Sequence, residues 1–314
     1  MRVMVTGGSG FVGRALIAHM HAGRQFDIVA ALRQAGELPG ATVRPVGEIG
    51  PDTDWHAALE GIETVIHCAG RAHRREDSAA DPLAAFRSVN VAGTVRLAEQ
   101  AAAAGVRRLV FLSSVKVHGE ATPGQPFRET DTLAPVDPYG VSKAEAELAL
   151  RQVEKQTGLE VVIIRPPLIY GPNPKANMLR LMRWVSSGLP LPFGAIHNRR
   201  SLVSLKNLIS AILAALTHTA AAGRTYLVSD QTDISTPDLV RLMAEALASP
   251  ARLWPIPAGF LKLAGGLTGR SEEIQRLVGS LVVDSGLISR ELDWRPPQAL
   301  RAGIAEMAAQ YRTR

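Results

Sequence analysis

One cysteine, Cys68, stands in 314 residues. A single thiol excludes an internal disulfide and fits a reducing compartment. Aromatic residues make up only 5% of the chain. No apolar run is long enough to cross a bilayer. The first apolar run is broken by Gly7, Gly8 and Gly10, unlike the h-region of a secretory leader, and the chain is expected in the cytoplasm. The formal net charge is +6, yet no contiguous basic stripe exists. Clusters occur only at Arg71–Arg75 and Arg199–Arg200, which argues against a nucleic-acid surface and suits a phosphate-bearing small molecule or solvated arginines. No internal repeat, low-complexity tract or metal ligand set is expected.

A hydrophobic content of 46% with 20% charged residues is that of a globular protein with a large core. The rest of the chain is organised around Arg2 to Gly13. Val3, Met4 and Val5 read as a buried strand, and the run from Phe11 through Met20 reads as the opening of a helix. Between them Gly7, Gly10 and Gly13 are spaced G-x-x-G-x-x-G. The first glycine permits a tight turn, the second lets backbone approach a pyrophosphate, and the third lets helix and strand pack closely. Gly7, Ser9, Gly10, Phe11, Val12 and Gly13 are therefore candidate cofactor contacts, the anion lying at the helix N-terminus. The alternative is a Gly-rich turn without a ligand.

Strands are expected at Ile28–Leu32, Thr42–Val46, Thr64–Cys68, Leu109–Ser113 and Glu160–Arg165, and helices at Asp52–Leu59, Leu83–Ala104 and Pro138–Thr157. Trp55 and Leu59 should face inward. This alternation predicts an α/β, doubly wound parallel sheet with helices on both faces, ligands binding at the carboxyl ends of its strands. After Pro166 and Pro167 the elements shorten, which suggests a smaller α/β lobe. The division expected is 1–170 for the dinucleotide unit, with later segments returning to it, and 171–314 mainly for substrate. The apolar stretch Ile256–Leu267 is expected to be a packed helix.

No acid ends the second strand; Arg33 stands there. An acid would accept from the 2′-hydroxyl of NAD, whereas an arginine suits the 2′-phosphate of NADP. The cofactor is thus NADP(H) or NAD(H), with Arg33 favouring NADP(H); in the alternative Arg33 is a surface residue. Ala69 and Gly70 are small enough for backbone to lie against the cofactor. Ser113 and Ser114 end the fifth strand. Tyr139 and Lys143 are four apart on the next helix and share a face. The lysine is expected to lower the phenol's pKa and to hold a ribose hydroxyl. Tyr139 would then move a proton to or from a substrate oxygen while hydride moves at carbon, with Ser114 bonding the same oxygen.

The chain resembles the extended short-chain dehydrogenase/reductases, the NAD-dependent epimerase/dehydratase family. The resemblance is carried by Thr6-Gly7-Gly8-Ser9-Gly10-Phe11-Val12-Gly13, His67-Cys68-Ala69-Gly70, Asn90-Val91-Ala92-Gly93-Thr94, Ser113-Ser114, Pro138-Tyr139-Gly140-Val141-Ser142-Lys143, Arg165-Pro166 with Tyr170-Gly171-Pro172, and Glu291-Leu292-Asp293-Trp294. It implies a Rossmann domain, a C-terminal substrate lobe and a nucleotide-diphosphate sugar, expected to be UDP-linked. It places Ser114, Tyr139 and Lys143 at the catalytic positions, and adds Cys68, Asn90 and Pro166 to the cofactor contacts. It also implies Asn177 at the pyrophosphate, Phe193 near the uracil and Arg200 on phosphate; the alternatives are a helix cap, a core ring and a surface charge. Lys116 and His73 are further candidates on the sugar side, or else loop residues. A homodimer through a helix pair is the family habit.

The family's 4,6-dehydratases carry an Asp-Glu pair directly after the catalytic hydroxyl residue. Val115 and Lys116 stand there, and a valine cannot transfer a proton, so dehydration is disfavoured. Redox chemistry at C4 remains. Arg33 and the missing acid favour an NAD(P)H-dependent reductase. The stretches Ser113-Ser114-Val115-Lys116-Val117-His118-Gly119-Glu120 and Lys175-Ala176-Asn177-Met178-Leu179-Arg180-Leu181-Met182-Arg183-Trp184 also resemble bacterial C4 reductases of UDP-4-keto-6-deoxy-N-acetylhexosamine, which implies a role in supplying O-antigen polysaccharide precursors. A 4-epimerase with tightly bound NAD is the alternative. A non-catalytic NADP sensor is a minor one, since it would not need Ser114, Tyr139 and Lys143.

Overall fold

Val3 through Thr6 are buried in β1 (Arg2–Thr6), as expected for a strand covered on both faces. The computed structural model describes residues 1–72, 81–122, 124–174, 176–269 and 271–313. α1 (Phe11–Gly23) sets Val12, Leu16, Ile17 and Met20 against the sheet. β2 (Asp27–Leu32), β3 (Thr42–Pro45), α2 (His56–Leu59) and β4 (Thr64–His67) follow. Next come α3 (Pro82–Arg87), a π turn at Ser88–Ala92, α4 (Gly93–Ala103), β5 (Arg108–Leu112), α5 (Pro138–Thr157) and β6 (Glu160–Arg165). The remainder is β7 (Leu168–Tyr170), α6 (Ala176–Ser186), β8 (Leu202–Ser204), α7 (Leu205–Thr217), β9 (Thr225–Leu227), α8 (Thr236–Leu247), α9 (Ala258–Leu267), α10 (Ser271–Val278), α11 (Gly286–Leu292) and α12 (Leu300–Arg312).

Seven strands form one parallel sheet in the order β3-β2-β1-β4-β5-β6-β9, and β7 pairs with β8 in a separate two-stranded sheet. α1, α7 and α11 cover one face of the large sheet through residues such as Leu16, Ile212 and Ile288. α2, α4 and α5 cover the other through Leu59, Leu97 and Leu150, with Trp55 and Leu59 inward as expected. This is a doubly wound α/β fold. A further apolar cluster joins α6, α8 and α12 through Met182, Met243 and Met307. Segments beyond residue 170 serve both: β9 completes the large sheet, while Asp230, shortly after β9, accepts at Oδ2 from the Tyr170 hydroxyl of β7 at 2.6 Å.

Three expected elements differ. The helix expected over 83–104 is interrupted by the π turn, which lets Asn90 reach both the β4 loop and α5. Gly93, just after it, packs so closely that a Cβ would lie 2.6 Å from Ile49. The helix expected over 52–59 is helical only from His56, because Gly50 and Thr53 are tied into a turn by the Gly50 N–H donating to Thr53 Oγ1 at 2.9 Å. The stretch 256–267 forms α9 but is not packed all round: Leu261 and Gly265 alone are buried in it.

Candidate active site

The glycine turn is shaped for a dinucleotide. Gly7 has φ +70°, and a Cβ there would lie 2.7 Å from the Ala69 nitrogen. The Gly10 N–H donates to the Gly7 carbonyl at 2.9 Å, and a side chain at Gly13 would collide with that carbonyl. No side chain caps α1, whose N-cap is Gly10, so its first N–H groups point out beside exposed Ser9 and Gly10 as an anion seat. Phe11 is half-buried and Val12 buried beneath the turn. The opposite wall is Cys68-Ala69-Gly70. Thr6 Oγ1 fixes it by accepting from the Ala69 N–H at 3.1 Å while also bonding His67 Nδ1 at 2.7 Å. A Cβ at Gly70 would crowd Asn90 Oδ1 at 3.0 Å. These features fit NAD(P): a close backbone approach and unfilled donors, with no side chain in the way.

Asn90 is buried and its amide is already committed. Oδ1 accepts from the Arg71 N–H at 2.7 Å, and Nδ2 donates to the Arg71 carbonyl at 3.1 Å and to Ser142 Oγ at 2.9 Å. It therefore clamps the β4 loop to α5 rather than presenting its side chain to a ligand. Pro166 is buried, and its carbonyl accepts from the Val115 N–H at 2.9 Å. Burial pushes the Cys68 thiol up to about 12, so it stays protonated and packs as a small apolar residue.

α5 begins where Asp137 caps it, its Oδ1 accepting from the Gly140 N–H at 2.6 Å, with Pro138 in the first turn. Tyr139, Lys143 and Glu147 fall on one face at i, i+4 and i+8. Tyr139 is half-buried, its ring edge-on to Phe86 with centroids 6.1 Å apart. Ser114, at the end of β5, is half-buried and extended, with Oγ accepting from the Lys116 N–H at 3.2 Å. Lys143 is buried; Nζ donates to the Leu112 carbonyl at 2.8 Å and sits 4.4 Å from the Phe111 ring centre.

The expectation that Lys143 lowers the phenol's pKa is overturned. Burial, with Asp137 adding to it, pushes Tyr139 up to about 12, because desolvation disfavours the phenolate and the lysine is turned to backbone. Burial also presses Lys143 down to about 8, against the upward pull of the Glu147 carboxylate. This predicts an alkaline limb: kcat/KM should fall above about pH 8 as the ammonium is lost, and a rate profile that stays flat to pH 10 would refute it. For stability the sign is opposite. The folded value lies below the ordinary 10.5, so the unfolded chain holds the extra proton between about pH 8 and 10.5, and this group's contribution to stability rises with pH there.

Beneath the catalytic face lies a buried polar network. Ser113 Oγ donates to Glu147 Oε1. Arg165, from β6, grips both oxygens of Glu147, with Nε at 3.0 and 3.1 Å, and Nη1 reaches His118 Nε2 at 2.9 Å and donates to the Glu129 carbonyl at 3.0 Å. Burial, with Arg165 adding to it, lowers His118 to about 4, so the imidazole is neutral at pH 7 and can accept from the guanidinium. The network ties β5, α5 and β6 together one layer below Ser114, Tyr139 and Lys143.

On the substrate side the expected residues already hold partners within the protein. Lys116 directs its ammonium to Glu120 Oε1 at 2.6 Å and to Asp137 Oδ2, so it braces the cap of α5. Burial raises Asp137 and Glu120, but their bonds to Lys116, with Arg276 joining at Glu120, outweigh it and hold both below the usual carboxylate range. Arg200 is half-buried and donates to the Gly279 carbonyl at 3.1 Å and the Arg276 carbonyl. Burial lowers its pKa, partly opposed by Glu120. Asn177, on α6, accepts from Arg180 Nη2 at 2.7 Å. Phe193 is 3% exposed and packs in the apolar cluster of α6, α8 and α12, beside Trp184, so its ring is not offered to a base. Arg33 is 67% exposed and paired to Glu48 at 3.1 Å. His73 lies outside the described residues. Among those residues no group of three or more metal-ligating side chains occurs.

Glu147, Glu120 and Arg276 escaped the sequence reading. Glu147 had a signal, the next turn of the Tyr139–Lys143 stripe. Arg276 had none: it meets Glu120 at 3.1 Å across 156 residues.

Comparison with known proteins agrees with this geometry. The model of the NAD dependent epimerase/dehydratase family matches residues 3–229. A UDP-glucose 4-epimerase of Vibrio cholerae is 44% identical over 311 residues, covering 98% of this chain and 95% of that one. In fold, the chain resembles a UDP-glucuronic acid 4-epimerase from Bacillus cereus, solved with NAD, at a TM-score of 0.80 and 18% identity, covering 100% and 99% of the two chains. It likewise resembles a UDP-glucose 4-epimerase from Thermotoga maritima, solved with UDP-glucose, at 0.77 and 21%, with the same coverage.

Proposed function

This chain belongs to the NAD dependent epimerase/dehydratase family, and on that premise we propose that it is a UDP-hexose 4-epimerase that keeps NAD bound through its cycle. It is an enzyme that uses NAD(P) and acts on a nucleotide sugar. The reductase favoured by Arg33 yields to the epimerase on one observation above the others: the 44% identity to a UDP-glucose 4-epimerase over nearly the whole of both chains. Two local features support the change. Glu48 beside Arg33 offers a 2′-phosphate a like charge, which weakens the case for NADP. Val115, directly after Ser114, is buried and has no ionisable group to transfer a proton, which leaves dehydration without its acid.

Residues 1–170, with β9, α7 and α11 returning, make the dinucleotide unit in this reading, and the cluster of α6, α8 and α12 supports the sugar nucleotide. Gly7, Gly10, Gly13 and the open start of α1 seat the pyrophosphate of the cofactor. When bound, NAD supplies the hydride acceptor and a positive charge that favours phenolate. Tyr139 Oη takes the proton of the C4 hydroxyl and returns it, and Ser114 Oγ holds the same oxygen. Lys143 provides a fixed cation under the pocket. Arg200 and Arg276, with Asn177, hold the diphosphate; Glu120 already sets a carboxylate against Arg276 and Lys116, an anion of the kind a diphosphate presents.

The test uses protein purified without added nucleotide. Denaturation should release NAD in amounts comparable to the chain, and UDP-glucose and UDP-galactose should interconvert with no added reductant. Stoichiometric consumption of NADPH with a 4-keto sugar, and no interconversion, would restore the reductase.

A further inference from the structure

α9 buries Leu261 and Gly265 on one side. On the other, Phe260 is 68% exposed, Leu263 63% and Leu267 82%. Their i, i+3, i+7 spacing places them on one stripe. A helix that packs by a single face ordinarily turns polar residues outward, but Lys262 is the sole charged residue of α9, whose other members are Ala, Gly, Leu and Phe. Trp254, four residues before the helix, and Trp184 of α6 are also exposed. They flank the same segment: the Trp254 carbonyl accepts from the Gly194 N–H at 2.8 Å, and the Trp184 ring lies 6.3 Å from that of Phe193.

Arg183, beside Trp184, Arg252, two residues before Trp254, and Lys262, within α9, are exposed. Glu245, and Glu273 of α10, which packs on α9, are already paired, to Arg301 at 2.5 Å and to Arg180 at 3.1 Å. A second copy of the chain on this face would meet its own cations in a two-fold contact, which like charges oppose. An anionic bilayer complements all three features: hydrocarbon accepts the aliphatic and phenyl side chains, indoles settle at headgroup depth, and lysine and arginine meet lipid phosphates. We propose that the outer face of α9, with Trp184 and Trp254, is a peripheral docking surface for anionic phospholipid membranes.

Vesicles of phosphatidylcholine alone, or mixed with phosphatidylglycerol, are sedimented with the full chain at low salt. The wild type should pellet with the mixed vesicles, lose binding as salt is raised, and pellet far less with phosphatidylcholine alone. Its tryptophan emission should shift to the blue; Trp55 and Trp294 are already buried, so the shift reports Trp184 and Trp254. A variant carrying Phe260→Ser, Leu263→Ser and Leu267→Ser should keep its melting temperature and its turnover of a soluble nucleotide sugar, and bind the mixed vesicles roughly tenfold less. Failure of the wild type to pellet, equal pelleting of wild type and variant, or conversion of a dimer to a monomer by the three serines without vesicle binding would each overturn the proposal. The last outcome would assign the face to a second copy.

Discussion

Turnover of the Tyr139→Phe variant is expected to fall by about 10²- to 10⁴-fold, the range for losing a positioned acid–base group, while NAD remains bound. Phenylalanine retains the ring that meets Phe86 edge-on, so packing and the cofactor wall are preserved. What disappears is the oxygen that exchanges a proton with the C4 hydroxyl. Ser114 cannot replace it: a serine hydroxyl bonds the substrate oxygen but is far too weak an acid to cycle its proton near neutral pH. Steady-state rates, set beside the NAD released on denaturation, separate the two quantities. A loss below tenfold would remove Tyr139 from the proton path. An unchanged kcat with a raised KM would make it a binding residue only.

The second large effect concerns stability. Glu147→Ala should destabilise the fold by about 3–5 kcal/mol, the usual result of removing one partner of a buried pair. Arg165, buried with it and held to both its oxygens, would be left as an uncompensated charge, and Ser113 would lose its acceptor. Denaturant midpoints at fixed m-value measure the loss. Adding Arg165→Met to Glu147→Ala should recover part of it, since the orphaned charge goes too. A recovery of nothing would mean that Arg165 is satisfied by His118 and Glu129 alone. Glu147 also pulls the Lys143 pKa upward. The residual activity of Glu147→Gln should therefore decline at lower pH than that of the wild type, a displacement that a purely structural role would not produce.

Much of the fold was legible because its signals are local. A glycine with φ +70° at Gly7, a strand of Val and Met, and the apolar stripe Val12, Leu16, Ile17 and Met20 on α1 constrain backbone within a few residues. The i, i+4 relation brings Tyr139 and Lys143 onto one face whatever surrounds them. Less legible were the environments of those side chains. The spacing suggested a lysine that acidifies the phenol; the folded protein instead turns Lys143 to the Leu112 carbonyl, and desolvation raises Tyr139. Desolvation depends on how much chain is packed overhead, which no window of sequence reports.

The chain's own order of residues decided the parallel α/β sheet, the glycine cradle and the catalytic helix, since each follows from steric limits and periodicities shorter than two turns of helix. Tertiary packing alone decided that Phe193 is a core ring, that Lys116 braces Asp137, that Arg33 meets Glu48 and that Arg276 meets Glu120. It likewise left the apolar stripe of α9 facing solvent. Those outcomes depend on which surfaces meet after the chain closes. Charge pairing and burial act through space at contact distance, and residues 156 positions apart along the chain become neighbours only in the folded molecule.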